Sequence, residues 1–292
     1  MIPRWFCLAT AVLGLHALAA ASYAQVYDPN SGIQYRRGQP VVPAFEGWQP
    51  NTDGTFSFWF GYLNRNYEEE VDLSVGPNNS FGPGSADRGQ PTHFMVRRNM
   101  FAFKVIVPKD FPKDQQLIWT LNSHGQTLKA KASLNPAWEV NNGVISENAG
   151  SGTYDPANEA PTITGNTMTS VTLPDTLTLT ASATDDGHPK PKPRRARRGT
   201  SEAKADDLTG IPSIIPENLM RGTGVNIRWV LYRGPGPVDF DPPKDPPVYG
   251  KPVTSNTHAT FSVPGDYWIR AIASDGMLES FLDIKVTVNG KN

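Results

Sequence analysis

The sequence predicts an all-β chain of two tandem β-sandwich domains joined by a flexible linker, the second carrying a long disordered insertion. Three observations predict it. Apolar residues recur at every second position over short runs, which is the period of a half-buried strand. Gly and Pro punctuate those runs, 26 and 27 of them among 292 residues, with no G-X-Y period, so the composition is loop-rich and not collagen-like. Between residues 44 and 139 no helical period survives more than two turns. The length suits about two domains, and 38% hydrophobic residues suits a globular chain.

The first 24 residues carry one charge, Arg4, then an apolar run from Trp5 to Ala21, then Ser22-Tyr23-Ala24. A positive start, an apolar core and small residues at the end are the layout of a secretory signal, with cleavage expected after Ala24. Cys7 is the single cysteine and leaves with that peptide, so no disulfide is expected. No later segment is apolar for long enough to span a bilayer as a helix. The expected address is secreted or periplasmic.

Residues 25–43 read as an irregular lead-in rich in Pro and Gly. The first domain, 44–140, follows. Phe56, Phe58 and Phe60 share one face; Val71, Leu73 and Val75 alternate with polar residues; Phe101, Phe103, Val105 and Val107 repeat the pattern, as do Leu117, Trp119 and Leu121. Turn signals separate them, among them Gly76-Pro77-Asn78-Asn79, Gly82-Pro83-Gly84 and Ser123-His124-Gly125. Residues 141–160 are rich in Asn, Gly, Ser and Thr and read as a linker. In the second domain, 161–290, the alternating runs are 177–183, 227–232, 267–274 and 284–288, and short strands between turn signals argue a β-sandwich. Pro, Arg and acidic clusters interrupt it over 188–224, which is expected to be disordered.

Trp229 in mid-strand, and Pro264-Gly265-Asp266-Tyr267 opening a strand as a tyrosine corner does, are similar to the immunoglobulin architecture. The runs 179–187, 234–238, 259–262 and 273–276 resemble the PKD-type sandwich domains of bacterial surface proteins. Phe60-Gly61-Tyr62-Leu63-Asn64-Arg65-Asn66, the run 75–84, Asp87-Arg88-Gly89-Gln90-Pro91-Thr92-His93-Phe94 and the run 117–121 are similar to a module that recurs in secreted and cell-surface bacterial proteins. Where that module usually turns through Pro-Gly-Arg, this chain has Val96-Arg97-Arg98. The resemblance implies an extracellular module and no activity.

Net charge of -1 gives no global attraction to nucleic acid or anionic lipid. The basic run Lys190, Lys192, Arg194, Arg195, Arg197 and Arg198 lacks interleaved aromatics and precedes Glu202, Asp206 and Asp207, so it reads as a solvated loop and nucleic acid is not an expected partner. His93, His124, His188 and His258 stand apart in sequence, and H-E-x-x-H, G-x-S-x-G, Walker and G-x-G-x-x-G patterns do not occur. Glu46, Glu68, Glu69 and Glu70 offer a carboxylate pair for glycoside hydrolysis, while Glu68 to Glu70 also read as a solvated strand start.

Two candidate sites remain. Trp48, Trp59, Tyr62 and Tyr67 do not all fit the inward alternation; they either fill the core or the seam between domains, or face outward to stack on sugars or anchor a protein. Asp185, Asp186 and Asp275 fall on loops expected at one end of the sandwich, where they either make turns or hold a hard cation, Ca²⁺, the one cofactor considered. The expected function is an exported, non-catalytic binding or structural module of the cell surface or extracellular space. Its expected partners are an envelope polysaccharide or another surface protein. The alternative is a glycan-active enzyme or its accessory domain.

Overall fold

The computed structural model describes residues 35–148, 155–190 and 224–291. The expected signal peptide, most of the lead-in and residues 191–223 of the expected insertion lie outside the described residues. From Arg36 onward the chain forms one compact unit, in which two β assemblies meet. Among the described residues no helix is long and apolar enough to cross a membrane.

The first assembly holds β1 (Val41–Pro50), β2 (Phe56–Asn64), β3 (Val71–Asp72), β4 (Asn79–Gly82), β5 (His93–Phe94), β6 (Arg97–Val107), β7 (Leu117–Ser123) and β8 (Gln126–Ala132). One sheet runs β1-β2-β6 and a second β4-β7-β8, with β3 and β5 as a separate pair. The strand pattern begins at Val41, inside what reads as an irregular lead-in: Val41 is fully buried and its amide donates to the Ser123 hydroxyl at 2.9 Å. Pro40 and Pro43 mask that strand in the sequence without ending it. The β7–β8 turn places His124 and Gly125 both at positive φ, 49° and 72°, the geometry a two-residue hairpin needs.

The aromatic alternation fills the space between the sheets. Phe58, Phe60, Phe94 and Trp119 are all fully buried. Trp119 stacks on Phe81 at 5.9 Å between centroids and meets Phe103 edge-on at 5.0 Å. Its indole N–H donates to Asn79 Oδ1 at 2.9 Å, and the same Asn79 amide donates to the carbonyls of Leu73 and Pro91. One buried polar side chain therefore ties the core to two loops, with every amide group satisfied.

The expected linker, 141–160, carries a short helix, α1 (Asn142–Asn148), whose start is capped by the Asn141 side chain accepting from the Val144 amide at 3.1 Å. The far end is fastened too, as His188 Nδ1 meets Asp155 Oδ2 at 2.8 Å and the Glu159 amide donates to Asp186 Oδ2 at 2.9 Å. These side-chain bonds hold residues 141–148 and 155–159, the described parts of a stretch whose Asn, Gly and Ser content reads as a free joint.

The second assembly comprises β9 (Thr162–Gly165), β10 (Met168–Thr172), β11 (Leu177–Thr184), β12 (Asn226–Arg233), β13 (Val238–Asp241), β14 (Val253–Phe261), β15 (Gly265–Ser274) and β16 (Glu279–Asn289). A sheet ordered β13-β14-β11-β9 faces one ordered β10-β16-β15-β12. This is the four-against-three partition of an immunoglobulin-like sandwich, with β10 added in parallel to the last strand. Trp229 on β12 is buried, and its indole reaches across to Ser255 Oγ on β14 at 2.8 Å. The Tyr267 hydroxyl donates back to the Val263 carbonyl at 2.8 Å, which is the tyrosine corner the sequence suggests. A side chain on Gly234 would place its Cβ 2.3 Å from that tyrosine ring, so the corner requires glycine there.

Candidate functional site

The assemblies meet at two clasps. In the first, the segment resembling the bacterial surface module supplies the socket. The Tyr232 hydroxyl donates to the Gly89 carbonyl, the Thr92 amide donates to the Tyr232 carbonyl, and Arg233 donates from Nε to the Gln90 carbonyl at 2.7 Å and grips both oxygens of Asp87 at 2.8 and 3.0 Å. In the second, Arg270 of β15 is buried, holds Asp283 through two nitrogens at 2.6 and 2.9 Å, and donates to the Ala102 carbonyl of β6 at 2.7 Å. Its guanidinium lies 3.6 Å over the Tyr232 ring and 4.7 Å over Phe281. A planar guanidinium suits that position because it stacks and forks at once.

Between the clasps lies a groove of about 190 Å³. Its shape on the β6 side comes from a set of interlocked irregularities. Phe60 faces Phe103 and Tyr62 faces Asn99, so one residue of β2 opposes three of β6. Inside that bulge Phe101 takes a positive φ of 48°, and Arg97, on the regular pairs just before it, takes 67°; the bulge turns Met100, Phe101 and Ala102 to the groove. Gly61 sits opposite: a Cβ there would lie 2.1 Å from Glu46 Oε1 and 2.5 Å from the Asn99 carbonyl. Glu46 is itself the extra residue of a bulge in β1 and is held by Arg98 at 2.6 and 2.8 Å. Burial pushes the Glu46 carboxyl up, and the Arg98 charge only partly offsets that.

The opposite wall comes from β12, β15, β16 and the loop before β16, with Val230, Ile272, Met277, Leu278 and Phe281 facing Met95 and Met100. Three methionines give this surface an adaptable apolar lining. Arg228 brings a charge, but Glu279 holds it at 3.0 and 3.2 Å. At the rim His93 is wedged between Asp72 at 2.8 Å and Glu70 at 3.1 Å. Burial lowers the imidazole pKa, yet the hydrogen bonds to Asp72 and Glu70 prevail and leave it raised to about 9.

That pair of contacts has a testable consequence. A histidine with a raised folded-state pKa stabilises the fold fully below its ordinary pKa and loses that contribution as pH rises through the folded value. The expected result is a fall in stability of about 2 kcal/mol between pH 6.5 and 10, allowing for solvent screening by the exposed carboxylates. Urea midpoints at pH 6, 8 and 10 measure it, and His93→Gln should flatten the profile.

The four aromatic candidates separate. Trp48 and Tyr62 are buried. Tyr62 shares the parity of Phe58 and Phe60 and so faces in; the Trp48 indole N–H donates to the Asn135 carbonyl at 2.9 Å. Tyr67 is half-buried under the Arg97 guanidinium, 3.9 Å from its ring centre. Trp59 stands on the groove wall, edge-on to Phe101 and donating to Gln49 Oε1 at 2.6 Å, with Tyr62 beside it. Outward stacking on a sugar is therefore not available to Trp48 or Tyr62, because the core covers their faces. The Glu68-Glu69-Glu70 run is also more than a solvated strand start: Glu68 pairs with Arg36, Glu69 with the Gly38 amide and His124, and Glu70 with His93.

The three aspartates divide as well. Asp186 is exposed and both its oxygens are engaged, by the amides of Glu159 and His188. Asp275 is almost fully buried, its Oδ1 accepts from the Met277 and Leu278 amides at 2.6 and 2.7 Å, and the Asn158 side chain also reaches its carboxyl. Burial pushes its carboxyl up to about 6, with Asp185 adding to the rise. Among the described residues no three of His, Cys, Asp and Glu converge as a metal cluster.

No protein-family model matches the chain, and no curated protein matches it. Solved structures similar to parts of the architecture include a protein of unknown function from Porphyromonas gingivalis W83 (11% identity, TM-score 0.25, 85% of this chain and 98% of that one). Others are a chimeric titin Z1Z2 (9%, 0.23, 87% and 100%) and an endo-fucoidan hydrolase of glycoside hydrolase family 107 (9%, 0.24, 86% and 30%). At these TM-scores the likeness carries no argument about function, and the fold rests on the strand order described above.

Proposed function

We propose that this chain is an exported, non-catalytic binding module of a bacterial cell surface or the extracellular space, and that the groove seats one apolar side chain of a protein partner. In this reading the two assemblies are tandem immunoglobulin-like domains whose docking builds the seat. The observation that carries it is the bulge in β6, which turns Met100, Phe101 and Ala102 to a methionine-lined wall on the other assembly. Such a lining suits an aliphatic or aromatic side chain better than a hydroxyl-rich sugar. The glycan-enzyme reading requires two facing carboxylates about 5 to 10 Å apart. Glu279 is the carboxylate that lines this groove, and Arg228 already holds it, which favours binding over hydrolysis.

The test is retention from a solubilised envelope extract by the immobilised mature chain and by Met100→Glu, the two first shown to melt within a few degrees of each other. A protein retained by the first and lost by the second is the expected result. Equal retention by both, or retention of polysaccharide alone, contradicts the seat.

A further inference from the structure

The join into the second assembly, the end of β11 and the end of β15 bring three polar side chains together. Asn158 is 4% exposed and Asp275 1% exposed. Asn158 Oδ1 and Asp185 Oδ1 are buried without a partner, and the polar group that the Asn158 amide nitrogen reaches is the Asp275 carboxyl. These groups are neighbours, since both the Asn158 side chain and the Asp185 charge act on the Asp275 carboxyl. A buried amide oxygen with no donor costs the fold stability. Two carboxylates beside it repel each other when ionised. One group relieves all of this at once: a hard cation, taking oxygens from an amide and two carboxylates and completing its shell with carbonyls and water.

We propose that Asn158, Asp185 and Asp275 form a Ca²⁺ site that fastens the entering chain to both sheets of the second assembly. Asp185 follows β11 in one sheet and Asp275 follows β15 in the other, while Asn158 lies on the segment arriving from α1. Asp186 is not a ligand in this site; its two oxygens brace the turn beside it. The remaining bonds of Asp275, to the Met277 and Leu278 amides, run into the groove wall, so the cation also stiffens one side of the groove. Magnesium is the poorer fit, because it demands a tight octahedral shell and gives up its waters reluctantly.

The experiment is a thermal melt of the mature chain in 2 mM Ca²⁺, in 2 mM Mg²⁺ and in chelator, repeated for Asp185→Ala and Asn158→Ala, with calorimetric titration of Ca²⁺ as the second readout. The expected result is a rise in Tm of about 5 °C or more in Ca²⁺ at a hundredfold excess over Kd. The rise should be absent or much smaller in Mg²⁺ and lost in both variants, which remain folded in chelator. Equal melting of the unmodified chain in Ca²⁺ and chelator, with no heat of binding, overturns the site and leaves internal water as the partner of these groups. A shift that survives in both variants also overturns it, since the ion then binds elsewhere. None of these outcomes depends on whether the groove binds a protein.

Discussion

Trp119→Ala is expected to leave the first assembly unfolded or barely folded at room temperature, at a cost of about 5 kcal/mol or more. Removing a fully buried indole from a close-packed core costs about 3 to 5 kcal/mol in lost transfer energy and residual cavity. Four aromatic rings line the space it fills, Phe60, Phe81, Phe94 and Phe103. They sit on strands of both sheets, so the hole cannot collapse without moving the sheets. The lost indole N–H adds a second cost, because Asn79 Oδ1 is then buried without a donor, worth about 1 to 3 kcal/mol. The sum is comparable with the whole net stability of an ordinary domain. Trp119→Phe separates the two effects: it keeps most of the volume, strands Asn79, and should cost about half as much. Urea denaturation followed by far-ultraviolet circular dichroism measures both.

Arg270→Ala is expected to cost about 3 kcal/mol and to loosen the two assemblies from each other. Its side chain makes three kinds of contact at once: the fork to Asp283, the bond to the Ala102 carbonyl, and the stacking between Tyr232 and Phe281. Breaking a buried pair by removing one partner is worth about 3 to 5 kcal/mol. The lower end applies because Asp283 keeps 36% of its side chain in solvent. Arg270→Met restores much of the stem packing and should recover about a third of the loss. Asp283→Asn leaves the guanidinium stacked and bonded to Ala102, so it should cost less than either.

Most of the second assembly was legible because its signals are local. The alternation of 177–183 and 267–274 marks strands without reference to anything distant, and a tyrosine corner is a contact between residues four apart in sequence. The first assembly hides more. Its groove depends on Phe101 taking a left-handed backbone, and Arg97 at the start of the same strand takes one too, which side chains other than Gly disfavour. The Pro-Gly-Arg turn of the resembling module, set against Val96-Arg97-Arg98, was the available hint: Arg97 occupies the glycine position with φ of 67°. The Glu68-Glu69-Glu70 run reads as solvent-facing because its partners are distant in sequence, Arg36 32 residues away on one side and His124 55 on the other. Asn158 in a stretch rich in turn formers gives no sequence signal of burial; only the convergence of three chain segments does. Tyr232 and Arg233 continue an ordinary strand, and nothing local says that they insert into the segment 87–92.

The two β assemblies lie in one compact unit, closed by Arg270 and by the Tyr232–Arg233 clasp around the groove. Differential scanning calorimetry of residues 25–292 tests this. A single transition is expected for the unmodified protein, with calorimetric and van't Hoff enthalpies in agreement, and two resolved transitions for Arg270→Ala combined with Arg233→Ala. Two independent transitions in the unmodified protein, unchanged by the double substitution, would contradict it.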